Sequence, residues 1–313
     1  MNSDTTAILA LMLTPGGGVV TIRRLMDIAA RMGVGIADIL KCSPHELTEA
    51  LPSGQESLAR VVAQCDEHCW GRAAGLLEAT SQAGVSALRI TDADYPSSLP
   101  NSLREVAPPL LFVYGALELL DTEGAAVVGA REVSEGGELL AADCAKAFAG
   151  VGATVVSGGA PGVDSAAHFA ALEAGGRTVV VLPQGILTYR GPSTLMDAAE
   201  FGTAAILSEF SPDCRWQTHA AVTRNATISA LSRLVCVIEP RKTGGSVRTA
   251  RCALDQGKRV LVHGSRDADS PIHALHRAGA GSLLDDNGQF DATRLAELWA
   301  EPPMDTASQA SLF

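Results

Sequence analysis

The chain has 313 residues, 47% hydrophobic and 19% charged, with a formal net charge of −11. This composition excludes a disordered chain and allows a sizeable buried core, and the acidic balance argues against a surface that coats nucleic acid uniformly. No apolar run approaches the roughly 20 residues of a membrane span, and seven dispersed cysteines without zinc spacing or a signal peptide read as reduced thiols in a cytoplasmic protein.

Residues 1–82 read as a small all-helical domain. Apolar residues fall at helical spacing over Ala7 to Leu13, Ile22 to Met32 and Ile36 to Leu40, with Gly33 and Gly35 dividing the last two. Ser43-Pro44 looks like a helix start, with serine as cap and proline in the first turn. Short helices joined by glycine turns suggest a helix-hairpin-helix or SAM-type module, a kind of unit that binds DNA or proteins, or simply packs. An adaptor follows, with short strands at Leu88 to Ile90 and Leu110 to Tyr114 and turn chemistry at Asp92 to Pro96 between them.

From Gly124 the rhythm becomes strand, glycine loop, helix. Strands are expected at Ala125–Val128, Ala153–Val156, Thr178–Leu182, Ala204–Leu207, Leu234–Ile238 and Arg259–Val262. Helices are expected at Leu139–Phe148, Ser165–Ala174 and Ser246–Gln256, with a helical turn at Thr227–Leu231. Continuous apolar strands alternating with helices imply an α/β fold, an extended Rossmann-like, doubly wound and mostly parallel sheet over residues 83–288. Residues 289–313 carry a last helix at Ala292–Trp299 and a polar tail.

In such a sheet, ligands sit at the carboxyl ends of the strands. Four loops leave strands there: Gly129-Ala130-Arg131, Ser157 to Asp164 with Gly158 and Gly162, Leu182 to Gly185, and Thr243-Gly244-Gly245-Ser246. Glycines let backbone N–H groups approach an anion, and each following helix adds a favourable dipole, so the loops read as a phosphate-binding pocket. Arg131 can clamp a phosphate bidentately. Asp164 reads as a helix cap, or as a ribose or base contact. His168, one turn later, reads as a packing residue. Arg224 suits a phosphate, and Asn225 a base or a backbone group. From Arg215 to Arg259, nine Lys or Arg face two acids, a local +7 that leaves −18 on the rest; this is either a basic surface or a set of salt-bridged arginines. No glycine loop carries a Walker lysine, His273 and His276 have no third partner, and no nucleophilic triad shows at diagnostic spacing. No enzyme, metal or cofactor is therefore expected.

These segments resemble the DNA-processing protein DprA (Smf) family from about Gly84 to Ala280. The resemblance rests on Asp94-Tyr95-Pro96, Pro108-Pro109-Leu110, Ala126 to Arg131, the specific run Ser157 to His168, Ser208-Glu209, Arg224-Asn225, Gly244-Gly245-Ser246 and Gly279-Ala280. It implies a non-enzymatic, homodimeric single-stranded DNA-binding protein that loads the recombinase RecA onto DNA in natural transformation, recombination or repair. By motif position, the DNA pocket uses Gly129, Arg131, Ser157, Gly158, Gly162, Arg224, Asn225, Gly245 and Ser246. The sequence departs from the pattern at Ala221-Val222-Thr223-Arg224-Asn225-Ala226, where the family's aromatic, proline and second arginine are missing, and a winged-helix module is not evident. The missing arginine implies weaker DNA binding with a shallower salt dependence. The closing Gln309-Ala310-Ser311-Leu312-Phe313 resembles the short motif by which bacterial proteins dock on the replication sliding clamp, with Gln309, Leu312 and Phe313 as its contacts.

Two other readings stay open. One is a nucleotide-sensing Rossmann domain. The other is a nucleotide phosphoribohydrolase of the lysine-decarboxylase-like type, against which stands the helix after Gly245, with Arg251 where that family places a glutamate.

Overall fold

The computed structural model describes residues 2–42, 46, 56–242, 244–264 and 270–302. The expected helix start at Ser43-Pro44 and the clamp-like tail at Gln309, Leu312 and Phe313 lie outside them.

Among the described residues, five helices open the chain: α1 (Ser3–Leu13), α2 (Val19–Met32), α3 (Ile36–Ile39), α4 (Glu56–Gln64) and α5 (Glu67–Gln82). Helix α1 is buried all round from Thr6 to Leu11, as a helix with no polar face must be. Helix α2 keeps one apolar stripe and ends at Gly33, whose φ of +70° supplies the left-handed C-cap.

Nine strands form one sheet: β1 (Ser86–Arg89), β2 (Leu110–Gly115), β3 (Gly124–Gly129), β4 (Thr154–Ser157), β5 (Arg177–Val181), β6 (Ala204–Ser208), β7 (Ser232–Ile238), β8 (Arg259–His263) and β9 (Gly281–Ser282). Their order is β1-β2-β6-β5-β4-β3-β7-β8-β9. Strand β2 is antiparallel to both β1 and β6, and every pairing from β6 to β9 is parallel. The chain winds outward from β3 through β4 and β5 to β6, then returns to the other side of β3 with β7. The doubly wound α/β expectation therefore holds, and β3 and β7 mark the switch point where such sheets open a crevice.

Alternate strand residues split the core between two faces. Leu111, Val113, Ala126, Val128, Val235 and Val237 point into one face. It is covered by α6 (Ser98–Leu103), α10 (Thr218–Ala230), α11 (Gly245–Asp255) and α12 (Pro271–Arg277). The other face is covered by α7 (Glu135–Gly150), α8 (Val163–Glu173), α9 (Ser193–Glu200) and α13 (Ala292–Ala300). On that face the N-terminal helices share one apolar cluster with Leu110, Phe112, Val180 and Ile206 of the sheet. Trp299 of α13 is buried edge-on against Phe148 of α7, with 5.7 Å between ring centroids.

The main disagreement with the sequence reading is α10, expected only as a turn at Thr227–Leu231. It starts at Thr218, with no side-chain cap at Gln217. Its first half, rich in threonine, valine and histidine, carries little helical propensity. Tertiary packing stabilises it instead, with Ala220, Arg224 and Asn225 buried. Phe112 is fully buried where the sheet meets the N-terminal helices. Phe112→Ala is expected to cost about 3–5 kcal/mol in urea unfolding; a loss below about 1 kcal/mol would mean that this shared core contributes little.

Candidate functional site

At the switch point lies a cleft of about 360 Å³. Its walls are the loop after β3 (Gly129 to Arg131), Ala160 and Asp164 beyond β4, residues of α10 and its approach from Trp216 to Asn225, and Arg241, Gly244, Gly245 and Ser246 at the start of α11. Of the residues singled out by sequence, Gly129, Arg131, Asp164, Arg224, Asn225, Gly244, Gly245 and Ser246 meet here. Ser157, Gly158 and Gly162 lie behind the wall, and Gly185 lies apart. The Gly185 N–H donates to the Cys214 carbonyl at 2.7 Å and its Cα packs on the 211–214 loop, so the loop after β5 is a packing site.

Arg224 is the floor. Its guanidinium is buried against the backbone of Gly158, where any Cβ would overlap it. Its Nη2 stands 4.0 Å from the Asp164 carboxylate. Asp164 does not cap its own helix: the N-cap of α8 is Gly162, and the Asp164 carboxylate turns back to accept the N–H groups of Gly158 (3.2 Å) and Ala160 (3.3 Å). The N–H groups of Gly158 and Ala160 are thus already satisfied. The Ser157–Asp164 loop makes room for an arginine at Gly158. Gly162 adopts φ +80° and packs on the carbonyls of Ala130 and Arg131, a place no other residue fits without strain. Ser157 is fully buried and donates to the Val127 carbonyl at 2.6 Å, tying β4 to β3.

Two titratable groups share this buried layer. Thr178 Oγ1 donates to the Val155 carbonyl (2.8 Å), so it must accept from His168 Nδ1–H (2.6 Å), which fixes the neutral tautomer. Burial, then the nearby Arg224 charge, drives the His168 pKa down to about 3. His168 is the packing residue its spacing suggested. Glu209, at the end of β6, is buried and accepts from Thr227 Oγ1 at 2.8 Å. Burial pushes its pKa up to about 7, with Thr227 and Arg224 pulling the other way. Burial also raises Asp164, which Arg224 opposes.

The +7 stretch does not form one surface. Arg233 pairs with Glu123 (2.8 Å) and Arg259 with Glu301 (2.5 Å), both at the amino ends of their strands, away from the cleft. Only Arg224 and Arg241, of these nine, line the cleft; Arg131 joins them from outside the stretch. Arg241 is ion-paired with Glu132 across the rim. Two of the helix starts near the crevice differ. That of α7 is closed by its Ser134 cap and by Glu239, whose carboxylate accepts the Ser134 N–H (2.8 Å) and hydroxyl. Glu239 holds this position with φ +46°, a strained backbone for a non-glycine residue. That of α11 has Gly244 at its N-cap and no side-chain cap. Beside it, Asn225 Nδ2 and Arg224 Nε are buried without a hydrogen-bond partner among the described residues, two unsatisfied donors on residues of the cleft floor. Sequence reasoning missed Glu209, Trp216 and Arg241 as site residues.

Residues 86–295, two thirds of the chain, match the family model described as DNA recombination-mediator protein A. The chain belongs to this family. Escherichia coli "Protein Smf" is 37% identical over 179 residues, covering 55% of this chain and 48% of that protein. The putative DNA processing protein DprA of Mycobacterium tuberculosis is also 37% identical and is covered over 45% of its length. The chain thus spans about half the length of these relatives. The X-ray structure of DNA processing protein A from Streptococcus pneumoniae shares the fold, with a TM-score of 0.70 at 24% identity over 89% of this chain and 94% of that one. DNA processing protein A from Helicobacter pylori, solved for its single-stranded DNA binding mode, matches with a TM-score of 0.57 at 26% identity, over 69% and 95% of the two chains.

Glu209 gives the site a pH signature. Its folded-state pKa of about 7 lies above the ordinary 4.5, so it favours the folded state below pH 4.5 and this contribution is lost as pH rises through 7. Glu209→Gln should therefore match wild type in urea unfolding near pH 4 and gain on it by up to about 3 kcal/mol near pH 8. A gap that does not grow with pH would mean that Glu209 titrates normally.

Proposed function

We propose that the cleft binds the phosphates of single-stranded DNA, and that the protein acts in the cytoplasm as a homodimeric mediator that loads RecA onto that strand. The observation that carries this reading is the pair of unpartnered buried donors, Arg224 Nε and Asn225 Nδ2, beside the α11 start, which has no side-chain cap. A helix start and a buried cation together favour an anion. Family membership and the single-stranded DNA bound by the Helicobacter pylori relative support DNA as its source. In this reading Arg224 grips the strand, Arg131 and Arg241 neutralise flanking phosphates, and Gly129, Gly244, Gly245 and Ser246 let the backbone approach closely. Asp164, Ser157, Gly158 and Gly162 hold Arg224 and the loops in place.

Fluorescence anisotropy of a labelled single-stranded oligonucleotide tests this. Wild type should bind in a salt-dependent way. Arg131→Ala, at an exposed rim position, should lower the slope of log K against log salt by about 0.7. Arg224→Ala should weaken binding about tenfold or more. Absence of binding at low salt, or binding that a mononucleotide competes for equally well, would contradict the DNA reading, the latter in favour of a nucleotide sensor.

A further inference from the structure

At the amino ends of β3, β7 and β8, the end of the sheet opposite the cleft, lies a second cavity of about 260 Å³. Ser98 of α6, Asp121 and Glu123 before β3, Leu231 and Arg233 beside the start of β7, and Lys258 before β8 line it. The turn from α11 into β8 fixes the last of these. Gly257 takes φ +69°, and the Lys258 N–H donates to the Ala253 carbonyl at 2.8 Å.

The chain has four lysines. Lys41, Lys146 and Lys242 are exposed, and Lys258 is half-buried. Among the described residues, nothing pairs with its ammonium, and burial is what lowers its pKa from the ordinary 10.5. A desolvated ammonium without a partner is unfavourable, and its neutral amine is the nucleophilic form. Ser98 lines the same cavity, and its hydroxyl is buried without a partner among the described residues. The other charges there are accounted for differently. Arg233 and Glu123 neutralise each other at 2.8 Å, and Asp121 lies exposed at the rim. Carboxylates at the mouth disfavour a resident anion as the missing partner of Lys258. A neutral group on Lys258 itself removes the buried charge instead, and a carbonyl on it supplies an acceptor for the Ser98 hydroxyl.

We infer that Lys258 is a modification site, acylated on Nζ by a small acyl phosphate that enters this cavity. The unprotonated Nζ attacks the acyl carbon and forms the N–C bond. The C–O bond to phosphate breaks, its electron pair leaves on inorganic phosphate, and the proton lost by nitrogen passes to solvent. No oxidant or metal is needed. A two-carbon acyl group displaces only a few waters of roughly 30 Å³ each, so the cavity of about 260 Å³ accommodates it. Because the site is at the far end of the sheet, it does not depend on the DNA reading.

The test treats the full chain with acetyl phosphate and follows each lysine by peptide mass spectrometry. Lys258 should be acetylated severalfold faster than Lys41, Lys146 or Lys242. A bulky amine reagent, a biotin active ester, should reverse that order, because the cavity does not admit it. Acetylated wild type should unfold at a higher urea concentration than untreated protein, since a buried charge has been removed. Lys258→Arg should show no such shift after the same treatment, and Ser98→Ala a smaller one. Acetylation of Lys258 no faster than that of the three exposed lysines would overturn the inference. So would a urea shift that Lys258→Arg shows equally, which would trace the effect to the surface lysines.

Discussion

The site depends on one buried charge. The Arg224 guanidinium is out of water, pressed on the Gly158 backbone and 4.0 Å from Asp164. An isolated buried cation costs several kcal/mol, which a partner offsets only with good geometry. At 4.0 Å the ion pair is loose, and Arg224 Nε has no acceptor. The arrangement is fixed but incompletely satisfied, a state suited to a group whose missing partner is a ligand anion. Much of the neighbouring sequence follows from that demand. Gly158 has no side chain because the guanidinium occupies its space, Asp164 bridges the loop to the arginine, and His168 stays neutral beneath it.

This arrangement would reconcile an acidic protein with the polyanionic partner proposed above. Net charge governs long-range attraction, while the cleft acts at contact distance. Arg131, Arg224 and Arg241 converge at the switch point, and the acids nearest them are committed. Glu132 pairs with Arg241, Asp164 holds the 158–160 amides, and Glu239 closes the start of α7. Closure of that helix start also separates this protein from Rossmann proteins that place a nucleotide phosphate at the first helix of the fold. Here a helix start without a side-chain cap lies across the crevice, on α11.

The sheet was legible because its strands are continuous apolar runs cut by glycine, and every strand expected from Ala125 to Val262 exists within a residue or two of its anticipated bounds. Helix α10 was half hidden because its first two turns are stabilised by burial rather than by propensity or a cap. Helix α12 carried a readable start, a Ser270 cap followed by Pro271, that its short length obscured. At the site, glycine spacing located the right end of the sheet but not the use of each glycine. A glycine needed for a close approach to a phosphate and one needed to make room for an arginine look alike in sequence. Glu209 stood in the Ser208-Glu209 motif without a sign of its burial, and Trp216 carried no local pattern, since its place at the cleft comes from the start of α10 beside the sheet.

Hydrogen–deuterium exchange of the whole chain, with and without a single-stranded oligonucleotide, tests most directly whether the β3–β7 crevice is where DNA phosphates bind. New protection is expected in peptides spanning Ala130–Arg131, Trp216–Asn225 and Gly244–Thr249. None is expected in the separate cavity lined by Ile272, His276 and Leu284 beside β8. Protection confined to that edge, or to the N-terminal helices, would contradict it.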